Sequence, residues 1–390
     1  MKLSSFTAIL LSAAMLAATG CSAGKEKEDM TTLSEKSFSA SDEYVKEIGR
    51  TYYSEDGVLW LAQSASGAEF TFNGTSASVV LKGDSNAASS WGKDNYARYV
   101  IYVNGEKTDD AMMNEASRTV EIFSSDSEKE TTVKILKVSE CVNSTLGIES
   151  INVTSIGNIH PTEEKELKIE FIGDSITCGY GVDDEVKEHH FKTDTEDATK
   201  AYAVKTAALL NADYSLVSFS GHGIISGYSG DGKIHADQTV SPFYTKVGKT
   251  YGGKCGSVSV GDVDWDFKSF VPDVIVINLG TNDDSYTGTD TEKQRAYIDG
   301  YIDFLGVVRE NNPDAHILCT LGVMGDRLYP SIETAVSEYT AKTGDSKITS
   351  MKFDVQNPED GYAADWHPTE ATHTKASEKL AEEIKKIIGG

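Results

Sequence analysis

The run Lys168-Ile-Glu-Phe-Ile-Gly-Asp-Ser-Ile-Thr177 decides how this chain folds. An apolar, β-prone segment stops at Gly173-Asp174-Ser175, which leaves one hydroxyl at the carboxyl edge of a strand. In open α/β sheets, ligands bind just beyond the carboxyl ends of the strands. A serine there can act as a nucleophile if a base and oxyanion donors reach it. Gly-Asp-Ser by itself is also an ordinary turn, so the rest of the chain must supply those partners.

Outward from this run, strands alternate with helices. Strands are predicted over residues 168–172, 214–219, 272–279 and 316–321, and helices over 197–210, 292–310, 332–343 and 371–388. That alternation predicts a mostly parallel sheet covered on both faces, a three-layer α/β/α domain. Before His160-Pro161 the pattern is different. Short alternating segments at 58–61, 69–72, 77–81, 99–103, 118–123, 132–136 and 148–153 read as strands, separated by turn signals such as Asn73-Gly74 and Asn104-Gly105. The fold expected is α/β: an N-terminal β-sandwich or jelly roll over 43–160, followed by the α/β/α domain over 161–390.

The start of the chain reads as an export signal over 1–20, with Lys2, an apolar stretch and Ala18-Thr19-Gly20-Cys21. Cys21 is the expected site of lipid modification, followed by a polar tether over 21–42. The expected location is therefore outside the cytoplasm, lipid-anchored to a bacterial membrane. A net charge of −25 excludes nucleic acid and attraction to anionic lipid, and favours a neutral partner such as polysaccharide. Cys141, Cys178, Cys255 and Cys319 lack metal-ligand spacing, and either a disulfide or buried thiols would suit them. No cofactor or metal is expected. Glu188-His189-His190 reads as a solvated polar loop.

Three remote segments can complete Ser175. Gly221 follows the second strand, where the lack of a Cβ lets a backbone N–H approach a ligand. Asn282, in Gly280-Thr281-Asn282-Asp283 after the third strand, offers amide donors to an oxyanion. His367, in Asp365-Trp366-His367-Pro368, lies 192 positions after Ser175 and can take its proton, with Asp365 fixing the tautomer. Trp366 is either a platform for the apolar face of a sugar or a packed lid over His367.

With these four blocks the chain resembles the SGNH hydrolases, the GDSL esterase superfamily. It resembles carbohydrate esterase family 2 more closely, through Gly173-Asp-Ser-Ile-Thr-Cys-Gly-Tyr-Gly181, the segment 272–283, Asp365-Trp-His-Pro368 and the preceding β domain. The resemblance implies Ser175 as nucleophile and His367 as base. The oxyanion hole would be formed by the N–H groups of Ser175 and Gly221 and the side chain of Asn282. It also implies a metal-free esterase that removes acetyl groups from plant cell-wall polysaccharides such as xylan and glucomannan. Most SGNH enzymes place two residues between Asp and His, whereas here only Trp366 intervenes. Some family 2 members use a main-chain carbonyl at the acid's position. Because a carboxylate makes the stronger, charge-assisted bond, a Ser175–His367–Asp365 triad is expected. The alternatives are a lipase, thioesterase or lysophospholipase of the same superfamily, and a non-catalytic surface glycan-binding lipoprotein.

Overall fold

The computed structural model describes residues 32–87 and 94–389; the expected signal segment and Cys21 lie outside the described residues. The alternating half forms β1 (Ser34–Phe38), β2 (Lys46–Ile48), β3 (Thr51–Tyr53), β4 (Leu59–Leu61), β5 (Ser66–Gly83), β6 (Ala97–Val103), β7 (Glu106–Met113), β8 (Ser117–Lys137) and β9 (Leu146–Pro161). They pair antiparallel in the order β3-β4-β9-β5-β8-β6-β7, with β1 added to β9 and β2 to β5. Alternate residues such as Phe70, Phe72, Val79, Leu81, Tyr99, Ile101, Val133 and Ile135 fill one buried core.

Three expectations about this half need correction. Asn73-Gly74 is not a turn, because 69–72 and 77–81 belong to one strand, β5, with a bulge between Gly74 and Ser76. A Cβ on Gly74 would lie 2.1 Å from the Thr154 carbonyl oxygen, so the glycine serves close approach of β9. Segments 118–123 and 132–136 are likewise one strand, β8. The expected tether over 21–42 is also partly ordered: β1 pairs with β9 from Ser34↔Ser155 to Phe38↔Ile151. Its polar composition suits a strand with one wet face, while Phe38 is buried against Tyr44. Asn104-Gly105 is the hairpin turn anticipated, with both residues at positive φ (52° and 85°) between β6 and β7.

The second half contains β10 (Lys168–Gly173), β11 (Asp213–Ser218), β12 (Val274–Asn278), β13 (His316–Val323) and β14 (Ile348–Val355), parallel in the order β11-β10-β12-β13-β14. Its helices are α1 (Ser175–Cys178), α2 (Tyr202–Leu209), α3 (Ser241–Tyr244), α4 (Thr281–Thr287), α5 (Thr291–Asn311), α6 (Tyr329–Thr343) and α7 (Glu370–Ile388). Period-two alternation splits the buried strands between two cores. Ile275 and Ile277 pack with Tyr301 and Phe304 of α5 and Ile332 of α6. Val274 and Val276 pack with Tyr202 of α2 and Leu380 and Ile384 of α7. The expected helix over 197–210 is shorter, because Asp197 caps a separate turn at Ala198–Lys200 before α2 begins.

The domains meet through buried polar contacts. Arg50 of the β domain pairs with Glu170 of β10 at 3.0 Å, and its guanidinium lies 5.1 Å from the Tyr244 ring centre and 5.2 Å from that of Trp265.

Candidate active site

The strand order reverses around β10, since β11 lies on one side and β12 on the other. Such a switch point opens a crevice at the carboxyl edge of the sheet. Ser175, Gly221 and Asn282 leave the ends of β10, β11 and β12, and the loop before α7 returns His367 to the same place.

Backbone constraints set the nucleophile turn. A Cβ on Gly173 would lie 2.0 Å from Thr177 Oγ1. Asp174 caps α1 by accepting the Ile176 N–H at 3.0 Å, so it shapes the turn while Ser175 projects from it. Ser175 Oγ is 2.9 Å from His367 Nε2. Burial pushes the imidazole down to about 4, which keeps it neutral and able to accept the serine proton. Tyr180 stacks on it with ring centres 3.9 Å apart.

The Asp365 carboxylate does not face His367. His367 Nδ1 lies 3.2 Å from two main-chain oxygens, those of Ala364 and Asp365, and the Asp365 carboxylate faces away. That carboxylate accepts from Tyr180 OH (2.7 Å), His190 Nδ1 (2.9 Å) and the Phe191 N–H (3.0 Å). The cause is local: Asp365 and Trp366 both take left-handed φ values (49° and 63°), a tight turn that presents carbonyls to the ring. With one residue between Asp and His, the side chain that would have completed the triad is on the far side of that turn.

Gly221 and Asn282 follow the strands on either side of β10, at the edge where Ser175 sits. Gly221 has φ 75°, and its N–H has no hydrogen-bond partner among the described residues. Asn282 Nδ2 donates to the His222 carbonyl at 2.8 Å and approaches Asp174 Oδ2 at 3.3 Å. Burial pushes Asp174 up to about 7 and Asp283 up to about 6. Asp283 accepts the N–H groups of Ile224, Ile225 and Ser226, which stiffens the chain just past Gly221.

Trp366 is half exposed, at 50%, with the Lys187 ammonium 4.1 Å from its ring centre and Tyr362 beside it. The packed-lid alternative therefore fails. His189 and His190 are exposed and pair with Asp184 and Asp365. The four described cysteines are buried free thiols.

Sequence reasoning missed Tyr180 and His222. Tyr180 sits in the quoted Gly-Tyr-Gly, but nothing local indicates that it stacks on a histidine far along the chain. His222 is buried beside Gly221, with Nδ1 2.9 Å from the Ser220 carbonyl and Nε2 2.6 Å from Lys249 Nζ. Within Ser220-Gly221-His222-Gly223, only the glycine carries a local signal, because a histidine in a turn reads equally well as a surface residue.

Residues 171–375 match the GDSL-like lipase/acylhydrolase family, and residues 47–162 match the carbohydrate esterase 2 N-terminal domain. The chain belongs to the GDSL-like lipase/acylhydrolase family, as a carbohydrate esterase of family 2. This esterase is 34% identical over 346 residues to the cellulase/esterase CelE of Acetivibrio thermocellus, a match covering 87% of this chain but only 39% of that protein. It is 24% identical to an acetylxylan esterase/glucomannan deacetylase of Cellvibrio japonicus, over 90% of each chain. Among solved structures it resembles a family two carbohydrate esterase from Clostridium thermocellum in complex with cellohexaose. The TM-score is 0.76 and the identity 30%, covering 88% of this chain and 99% of that one.

Proposed function

We propose that this esterase removes O-acetyl groups from plant cell-wall polysaccharides or their oligosaccharides, by a Ser175–His367 dyad backed by main-chain carbonyls. The 2.9 Å contact between Ser175 Oγ and His367 Nε2, at the carboxyl edge of a family 2 sheet, carries this reading. Ser175 Oγ attacks the acetyl carbonyl as His367 Nε2 takes its proton. The charge that develops on the carbonyl oxygen is met by the N–H groups of Ser175 and Gly221 and by the Asn282 amide. The imidazolium then protonates the departing sugar oxygen, leaving an acetyl ester on Ser175. Water, deprotonated by His367, attacks that ester; the Ser175 Oγ–acyl bond breaks, His367 returns the proton to Ser175 Oγ, and acetate leaves. The carbonyls of Ala364 and Asp365 accept the Nδ1–H throughout, which fixes the tautomer and steadies the transient positive ring.

The net charge of −25 and the Ala18-Thr19-Gly20-Cys21 pattern support work on neutral polysaccharide from a membrane-tethered position outside the cytoplasm. Transfer of a labelled fatty acid that is lost in Cys21→Ser tests the anchor. Acetate release from a panel of acetylated xylans, glucomannans and their oligosaccharides, with Ser175→Ala as control, tests the activity. NMR of the products locates the hydroxyl set free. A preference for long acyl chains over acetyl would refute the substrate, and turnover persisting in Ser175→Ala would refute the site.

A further inference from the structure

Glu140 belongs to the β domain, just past β8, yet its side chain is buried beneath the hydrolase site. Its Oε2 accepts the Ser220 N–H at 2.9 Å, one residue before Gly221. The Ser220 carbonyl, on the other side of the same Cα, is held by His222 Nδ1 at 2.9 Å. The two bonds pin the peptides flanking Ser220, and the second of those peptides carries the Gly221 N–H. The long excursion between β11 and β12 also leans on the β domain, through the Tyr251 N–H on Val142 O at 2.8 Å.

Around Glu140 lies a closed set of groups. Its own N–H donates to Glu196 Oε2 at 2.8 Å, and the other Glu196 oxygen is buried without a partner. Cys178 Sγ, from α1, sits 3.9 Å from Glu140 Oε2 and donates to Ser218 Oγ at 3.2 Å. Ligand atoms of Glu140, Cys178 and Glu196 fall within 4.8 Å of one another. The Lys137 ammonium, fully buried, bonds to the carbonyls of Ala62 and Ser139 nearby. Two carboxyls this close in a dry interior share a proton rather than both ionise. Burial pushes both carboxyls up, and each accepts one backbone N–H, that of Ser220 on Glu140 and that of Glu140 on Glu196.

We propose that Glu140, supplied by the β domain, is a positioning residue of the oxyanion hole, its carboxylate holding the Ser220 peptide so that the Gly221 N–H is aimed at the reacting oxygen. The inference rests on the esterase reading above. It is tested with p-nitrophenyl acetate, which carries no sugar, so inactivity of the wild type on acetylated polysaccharides would remove the proposed substrate and leave this inference standing.

The experiment compares full-length wild type, Glu140→Ala and Glu140→Gln, with kcat expressed per active site from the p-nitrophenolate burst. Glu140→Ala is expected to lower kcat roughly 10- to 100-fold with KM within about twofold, short of the loss on removing an oxyanion donor outright. Glu140→Gln, whose amide oxygen can still accept the Ser220 N–H, is expected to recover most of that loss. Unchanged kcat per site in Glu140→Ala, a rise in KM alone, or no recovery in the glutamine variant would overturn the proposal. If the alanine variant fails to fold, Glu140→Asp, which withdraws the acceptor by one methylene, takes its place with the same expected loss. One equivalent of divalent metal in the purified wild type, with activity lost on chelation, would also overturn it by making Glu140 a ligand.

Discussion

Replacing Asp365 distinguishes a main-chain acceptor from a carboxylate one. Removing the carboxylate of a Ser-His-Asp triad costs about 10⁴ in kcat. Here the atoms facing His367 Nδ1 are the carbonyls of Ala364 and Asp365, which any side-chain change retains. The carboxylate instead ties Tyr180, His190 and Phe191 to the left-handed turn. Asp365→Asn keeps a residue that tolerates φ 49° and an oxygen that can accept from Phe191 N–H or Tyr180 OH, so kcat should stay within about threefold. Asp365→Ala loses three side-chain bonds at a partly exposed site, worth roughly 1 kcal/mol each at most, and adds about 1 kcal/mol of left-handed strain. That turn sets the aim of the imidazole, so about a tenfold loss of kcat and about 2–3 kcal/mol of stability are expected, once partial rehydration of the freed groups is allowed for. The assay is steady-state hydrolysis of p-nitrophenyl acetate per titrated site, with urea denaturation for stability. A fall of about 10³ or more in Asp365→Asn would show that the carboxylate supports the base and would refute the argument.

Because burial pushes His367 down to about 4, its ring stays neutral well below the ordinary histidine range near 6.5, and the base remains competent as pH falls to about 5. Site-resolved NMR of labelled histidine should find the His367 transition near 4; a midpoint at 6.5 would contradict it. Trp366→Ala should raise KM for acetylated oligosaccharides about tenfold while leaving p-nitrophenyl acetate kinetics nearly unaltered, a split that a purely structural tryptophan would not give. Gly74→Ala should destabilise the β domain by about 2 kcal/mol or more, since the new methyl meets the Thr154 carbonyl; equal urea midpoints would argue against the close approach of β5 and β9.

The parts of the fold legible from sequence are those where local chemistry and global position agree. The continuous apolar run of β12 announces a strand buried on both faces, and Asn104-Gly105 announces a turn that needs two positive φ values. Asn73-Gly74 carries the same dipeptide and means something else, because only the register of β9 against β5 reveals why a side chain is excluded there. β1 was hidden by its polarity, which is that of an edge with one wet face. β14 is not legible in the sequence because its burial is confined to Ile348, Met351 and Phe353, a spacing with no clean period. At the candidate site, residue types pointed to Ser175, Gly221, Asn282 and His367, which the fold brings to one sheet edge. They could not show which oxygen of Asp365 faces the imidazole, since that depends on two backbone dihedrals.

The base reaches the nucleophile only because α7, the last helix, docks against α2 and carries the loop before it into place. Chains are synthesised from the amino end, and domains fold as units in that order. The β domain precedes the hydrolase half in that order, whereas the hydrolase core is completed only when α7 is available. A chain cut short before His367 would lose the proposed base together with Leu380 and Ile384, so the hydrolase core and its reactive histidine stand or fall on the same terminal helix.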